Sequence, residues 1–393
     1  MELPKELELM IVAGEASGDQ LGADLVRELR DLWPEVKPFG TPGEKMRSAG
    51  VEPIMNSDEW SVVGLAAVAA SIPKFLSIKK ALVNVANERN PAAVVLIDFP
   101  EFNLRLAKDL KKSGQRVVYY VSPQVWAWRR YRLKSIREYV DLLLSIFPFE
   151  TNWYRQIGIE HVRYVGNPVA KRTHATLSRS DFCKRHDLDK NRTIVALLPG
   201  SRQKEIKRHL PPMLESAAIL CADHSDMQFI VAAAPNTKAT INELVSPFRE
   251  KPASRNVAVR IVDGETINAL AAADAAAISS GTATLEAGVI GTPMAVVYKI
   301  PKLDYAIFKY IVKAPYIALI NLVAGRGVVK ELIQADFNAI DLAKELRHLI
   351  EPVTNTKMRE QLRAVTEQLS AGEPSRTAAE AILQFIQSGT EGS

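Results

Sequence analysis

Short, almost wholly apolar runs punctuate the chain at Leu7 to Ala13, Ala92 to Ile97, Arg116 to Val121, Leu142 to Ile146, Thr193 to Leu198, Gln228 to Ala233, Val257 to Val262, Ala275 to Ile278 and Met294 to Tyr298. Runs this short, without a polar alternation, read as strands buried on both faces. Between them apolar residues recur every three or four positions, as Leu25, Leu29 and Leu32 do. That is the signature of helices with one buried stripe. Strand and helix in alternation predict parallel sheets covered on both sides, an α/β fold. The pattern weakens into Gly166-Asn167-Pro168 and a charged stretch from Lys171 to Arg192, which divides the strands into two sets. Two doubly wound domains are expected, 1–168 and 169–372, with a last helix over about 373–388 packing back on the first. Facing each other, they would bring the carboxyl ends of both sheets to one cleft, where such sheets bind ligands.

Composition narrows the class. The chain has 393 residues, 47% hydrophobic and 24% charged, which excludes disordered, collagen-like and disulfide-dense proteins. Lys+Arg 50 against Asp+Glu 45 leaves +5, a balance that permits anionic partners without requiring nucleic acid. Cys183 and Cys221 make neither a disulfide framework nor a paired metal motif, so a reducing cytoplasm is expected. The N-terminus is acidic where an export signal would be basic. The apolar stretch from Val62 to Ile72 is far shorter than the roughly 20 residues a spanning helix needs.

Three loops have the composition of anion sites. Gly14-Glu15-Ala16-Ser17-Gly18-Asp19 leaves the first strand and opens a helix, so it is either a backbone cradle for an anion or a tight turn capped by Asp19. Its spacing is not G-x-G-x-x-G, and no acidic residue closes a second strand near position 35, which disfavours a dinucleotide. Leu197-Leu198-Pro199-Gly200-Ser201-Arg202 places a guanidinium where it could clamp a phosphate. Ser279-Ser280-Gly281-Thr282-Ala283-Thr284-Leu285-Glu286 opens a helix that Gly291 and Pro293 end. Glu286 could accept a ribose hydroxyl pair while the Gly281 to Ala283 amides hold a diphosphate, although alone it also reads as a solvated helix residue.

Asp98 follows a buried strand at the edge where catalytic groups collect, among apolar neighbours that would raise its pKa toward that of a base. Glu101, after Pro100, reads as a helix cap. The six histidines, His161, His174, His186, His209, His224 and His348, read as surface residues, and Asp187-Leu188-Asp189 as a cap beside Lys190. No metal and no cofactor is expected. Leu65, Val68, Ile72, Phe75 and Leu76 recur at helical spacing beside Lys74, Lys79 and Lys80, which suits either an interfacial helix or an ordinary packed one. Trp126 to Arg137 carries indoles and cations, which favour a headgroup or a phosphorylated ligand, with a solvated basic helix as the alternative.

Together these blocks resemble the lipid-A-disaccharide synthases. The resemblance rests on Gly14 to Asp19, Tyr120-Val121-Ser122-Pro123-Gln124-Val125-Trp126-Ala127-Trp128-Arg129, Phe147-Pro148-Phe149-Glu150, Leu198 to Arg202 and Ser280 to Glu286. It continues through Asn321-Leu322-Val323-Ala324-Gly325 and Lys330-Glu331-Leu332-Ile333-Gln334. It implies two Rossmann-like domains of the GT-B type, an acceptor and membrane-side domain followed by a UDP-sugar donor domain. It also implies an inverting transferase, peripheral on the cytoplasmic face of the inner membrane. The reaction implied joins UDP-2,3-diacylglucosamine to 2,3-diacylglucosamine 1-phosphate, giving a β-1,6 disaccharide 1-phosphate and UDP. By the same resemblance Asp98 is the general base, and Glu15, Ser17 and Gly18 line the reaction cleft. Arg202, Ser280, Gly281, Thr282, Thr284 and Glu286 hold UDP, with Asn321 and Gln334 near the donor. Leu65, Val68, Ile72, Phe75 and Leu76 meet acyl chains. Two positions depart from the family pattern: Glu101 stands where Asp is common, and Asn167 where His is common. Asn167 cannot act as an acid or base. The rival readings are another UDP-sugar transferase or epimerase of this architecture, and a two-lobed nucleotide-sugar binder without turnover. Neither nucleic acid nor a particular oligomer is implied.

Overall fold

A computed structural model describes residues 7–55, 72–127, 129–223, 226–254, 257–301, 304–305, 314–369 and 372–390. It separates into two compact units, Met1–Pro168 with Ala371–Ser393, and Val169–Ser370. Each unit holds one parallel sheet among its described residues.

In the first unit the strands are β1 (Leu7–Ala13), β2 (Val36–Thr41), β3 (Glu52–Pro53), β4 (Ala93–Ile97), β5 (Val117–Tyr120), β6 (Leu142–Ser145) and β7 (Val162–Tyr164). Their spatial order is β3-β2-β1-β4-β5-β6-β7. Leu9 lies opposite Pro38 on one side and Ala93 on the other, so the order reverses between β1 and β4. In the second unit β8 (Thr193–Leu198), β9 (Met227–Ala233), β10 (Ala258–Asp263), β11 (Ala275–Ser279), β12 (Met294–Tyr298) and β13 (Lys330–Ile333) take the order β10-β9-β8-β11-β12-β13. There the reversal falls between β8 and β11. Such reversals open a crevice at the carboxyl ends of the strands on either side.

The apolar runs coincide with β1, β4 to β6 and β8 to β12. β2, β3, β7 and β13 carry no such run. In β2, Pro38 and Gly40 hide the strand, and Gly40 is required because a Cβ there would lie 1.9 Å from the Ile11 carbonyl oxygen.

Strand alternation builds the core on both faces. Leu9 and Ile11 face the helices Ala16–Leu32 and Pro374–Thr390, while Met10 and Val12 face the helices Ile72–Arg89 and Pro100–Lys112. All four side chains are fully buried, and each contributes about 1.5–3 kcal/mol by leaving water. The last helix is also held by Arg116, whose guanidinium donates to the Ile386 carbonyl at 3.0 Å and covers the Phe385 ring. Among the described residues no helix is long and apolar enough to cross a membrane. Cys183 and Cys221 are free and buried.

Candidate active site

At the reversal in the first unit, β1 runs into Gly14-Glu15 and β4 into Asp98-Phe99. Asp98 and Phe99 both have φ +48, a left-handed pair without glycine that costs about 1 kcal/mol or more at each residue. Buried donors hold the turn. The Asp98 carbonyl accepts from Tyr119 Oη at 2.7 Å and from Asn103 Nδ2 at 2.8 Å, and Asn103 also reaches the Ile97 carbonyl at 3.1 Å. The turn swings the Phe99 ring over Gly14, where a Cβ would lie 2.6 Å from Phe99 Cδ1. One strained turn therefore brings the two loops together.

The carboxylates of these loops differ in electrostatics. Burial first, then the nearby negative charge of Glu15, pushes the Asp98 pKa up to about 6. Glu101 is not the simple helix cap expected from Pro100. Its Oε1 accepts from Arg132 Nη2 at 2.5 Å and from the Arg129 guanidinium. Burial pushes Glu101 up, but Arg132, by hydrogen bond and charge, and then Arg129 outweigh it, so its pKa falls. Two carboxylates three residues apart are thus driven in opposite directions, the pattern expected where one must gain a proton and the other must stay charged.

Trp126 corrects another expectation: the indole is 7% exposed, and its Nε1 donates to Glu150 Oε1 at 2.9 Å. Glu150 is fully buried, which raises its pKa to about 7 against the hydrogen bonds of Ser145 and Trp126. Ser145 Oγ lies 2.6 Å from Glu150 Oε2 and 2.9 Å from the Phe147 carbonyl. A serine has one proton to donate, so both contacts are satisfied when Glu150 is protonated and donates to Ser145.

In the second unit a cavity of about 640 Å³ opens at the reversal, with Leu198, Gly200 and Ser201 at the carboxyl end of β8 on one wall and Ser279 to Thr282 at the carboxyl end of β11 on another. Arg172, His174 and Thr176 line it from the preceding linker, which Asn268 pins by accepting from the Thr176 and Leu177 amides at 2.9 and 3.2 Å. The helix Ala283–Ile290 begins at the cavity and ends at Gly291, φ +81, as its composition predicts. Glu286 lines the cavity, its pKa raised by burial.

Among the expected site residues, Glu15 and Ser17 are exposed beside Asp98's turn, while Gly18 packs inward against Ala13 and Ile97. Asp19 is a cap, but of the helix Glu44–Ser48: it accepts from the Gly43, Lys45 and Met46 amides at 2.8, 2.9 and 3.1 Å. Gly281, Thr282 and Glu286 face the cavity, as does Ser280, whose Oγ donates to the Ile317 carbonyl at 2.7 Å. Thr284 is fully buried and donates to the Gly281 carbonyl at 2.8 Å, so it shapes the loop from behind. Arg202 is exposed and pairs with Glu205 at 3.0 Å, and it is not among the cavity-lining residues.

Asn321 and Gln334 also lie off the wall. Asn321 is fully buried, accepting from the Val328 and Val329 amides and donating to Val329 and Glu331. Gln334 bridges both backbone groups of Ile300 at 2.9 and 3.2 Å. The side chains of both serve the protein rather than a ligand.

His209, expected at the surface, is fully buried, with Nδ1 2.9 Å from the Pro199 carbonyl and Nε2 accepting from the Lys299 amide at 3.0 Å. Asp187 pairs with Arg260, and Asp189 accepts from Asn191 in a turn. Asn167 is fully buried and donates to the Ile146 carbonyl at 3.1 Å. Leu65, Val68, Trp128 and the Ile72 side chain lie outside the described residues. Phe75 packs on Phe102 with ring centroids 5.7 Å apart, and Leu76 is 55% exposed. Sequence reasoning named Ser279 only as the start of its loop, missed Asn268 and Arg172, and placed His174 at the surface. The last three come from a charged linker and from the helix Thr266–Ala272, and only the folded sheet brings them to the cavity.

Comparison with known proteins is consistent along the whole chain. The sequence model of the lipid-A-disaccharide synthetases matches residues 9–386. A lipid-A-disaccharide synthase of Anaeromyxobacter sp. (strain K) is 45% identical over 87% of this chain and 88% of its own. That of Myxococcus xanthus (strain DK1622) is 39% identical over 97% and 98%. Among solved structures, the UDP co-structure of MnaA from S. aureus superimposes with a TM-score of 0.66 at 12% identity, covering 97% of each chain. The calicheamicin glycosyltransferase CalG4 gives 0.59 at 16% identity, covering 97% and 98%. At such identities these last two speak for the fold.

Proposed function

The chain belongs to the lipid-A-disaccharide synthase family, a family of glycosyltransferases in lipid A biosynthesis, and we propose how its two units divide the reaction. The first unit takes the acceptor, 2,3-diacylglucosamine 1-phosphate. The second takes the donor, UDP-2,3-diacylglucosamine. Asp98 accepts the proton of the acceptor 6-hydroxyl as that oxygen bonds to the donor's anomeric carbon and the bond to UDP breaks. One displacement inverts the centre to a β-1,6 linkage and needs one base. The observation that carries this reading is Asp98 itself, held at a sheet reversal with its pKa raised to about 6, close to the working pH at which a base is most effective.

For the donor, the Gly281 and Thr282 amides at the start of the helix Ala283–Ile290 face the diphosphate, with the positive end of the helix dipole favouring the leaving charge. Glu286 accepts from the ribose hydroxyls. Arg202 closes on the phosphates by leaving Glu205. The exposed side chains of Leu76 and Tyr131, beside Arg130 and Lys134, support contact with an anionic membrane surface and with acyl chains. Such contact would hold the protein peripherally at the cytoplasmic face of the inner membrane. Replacing Leu76 and Tyr131 by Ser should reduce co-sedimentation with anionic vesicles, and undiminished sedimentation counts against these two residues as membrane contacts.

The test of the reaction is direct. The purified chain is incubated in detergent with UDP-2,3-diacylglucosamine and labelled 2,3-diacylglucosamine 1-phosphate, and disaccharide 1-phosphate and UDP are expected in equal amounts. UDP binding without this product would transfer the reading to a different acceptor.

A further inference from the structure

Ser279, the last residue of β11, is 5% exposed, and its Oγ is buried without a hydrogen-bond partner among the described residues. The neighbouring hydroxyls are accounted for: Ser280 donates to Ile317 at 2.7 Å and Thr284 to Gly281 at 2.8 Å. Leaving a buried hydroxyl unpaired is costly, so its partner is to be sought at the site it faces. Ser279 faces across the sheet reversal. Its Oγ is 3.5 Å from where a Cβ would stand on Gly200, and both residues line the 640 Å³ cavity beside the start of the helix Ala283–Ile290. The Glu205 carboxylate beside Gly200, with Oε2 2.8 Å from that Cβ position, pairs through Oε1 with Arg202 at 3.0 Å.

We propose that Ser279 Oγ is a ligand of the donor's diphosphate, giving its proton to a phosphate oxygen held between the Gly200-Ser201 loop and the Gly281-Thr282 amides. The proposal rests on the reading of this cavity as the nucleotide site. It makes Ser279, rather than Ser280, the hydroxyl that recognises phosphate. Ser280 instead fastens the loop to Ile317. Gly200 itself, at φ +120, has no room for a side chain: a Cβ there would lie 2.8 Å from Glu205 Oε2.

The experiment measures UDP and uridine affinities by calorimetry for the wild type, Ser279→Ala and Glu286→Gln. Ser279→Ala should weaken UDP about tenfold, as loss of one hydrogen bond to a charged group does, and leave uridine unchanged. Equal losses for UDP and uridine, or no loss for either, overturn the proposal. Glu286→Gln separates the two levels of the argument, because it should weaken uridine as well as UDP. If Glu286→Gln changes neither ligand, the cavity is not the nucleotide site, and the proposal falls with that reading. If it weakens both while Ser279→Ala weakens neither, the proposal alone falls.

Discussion

The two units share a strand order, reverse it at the same place, and use the reversal differently. Between β1 and β4 the chain gathers the carboxylates Glu15, Asp98 and Glu101 around a left-handed turn at Asp98-Phe99 clamped by Tyr119 and Asn103. Between β8 and β11 it places glycines, hydroxyls and a helix start around an open cavity. The first arrangement raises a pKa, and the second offers donors to an anion. One topology thus supplies a proton-transfer site and an anion site. The difference lies in the loops at the carboxyl ends of the strands, not in the strands themselves.

The contrast can be broken from either side. Short of replacing Asp98 itself, the largest effect is expected from the clamp: replacing Tyr119 by Phe and Asn103 by Leu together frees the Asp98 carbonyl, and kcat should fall about a hundredfold, the scale of a 1 Å misplacement. UDP affinity should be unchanged, since the clamp lies in the other unit. On the second side, Glu286→Gln should weaken UDP about tenfold while kcat at saturating donor stays near the wild type. A large fall in kcat there would erase the division of labour.

Titration sharpens the same comparison. Asp98 must be ionised to act, and its pKa is raised to about 6, so kcat/KM should rise with pH and level off above about 6. Glu15→Gln removes a charge that raises that pKa, so the acidic limb should move to lower pH. A limb that stays in place would remove Glu15 from the account. The smallest effect is on stability. Glu150 has its pKa raised by burial from 4.5 to about 7, so the fold is most stable with respect to this group below pH 4.5 and loses stability as pH rises through about 7. Glu150→Gln, which can still accept from Trp126 and donate to Ser145, should therefore gain Tm relative to the wild type at pH 8 more than at pH 5. Thermal melts at the two pH values check it.

Much of the fold was legible because its signals are local. Buried strands announce themselves as unbroken apolar runs, and the Gly281 to Gly291 loop and helix carry their own start and stop residues. Asp98 was legible from its place after such a run. Relational features escaped. β2 is a strand because Ile11 needs a residue without a side chain opposite it, which Gly40 provides and Pro38 obscures. Asn321 and Gln334 stand near the donor by family resemblance, yet their amides match backbone groups at Val328, Val329 and Ile300. His209 is apolar in context only after Pro199 and Lys299 close around it. Trp126 reads as a surface indole until Glu150, distant in sequence, accepts its N–H. Ser279 and Ser280 differ by a single hydrogen bond that no spacing reveals.

The central claim is that the first unit carries the chemistry through Asp98 and the second carries the nucleotide. Asp98→Asn keeps the shape of the side chain and removes its basicity, so turnover and UDP affinity should be measured on the same preparation. The account predicts turnover reduced by about 10²–10⁴-fold, the usual contribution of a general base, with UDP affinity unchanged. Wild-type turnover in Asp98→Asn, or a parallel loss of UDP affinity, would contradict it.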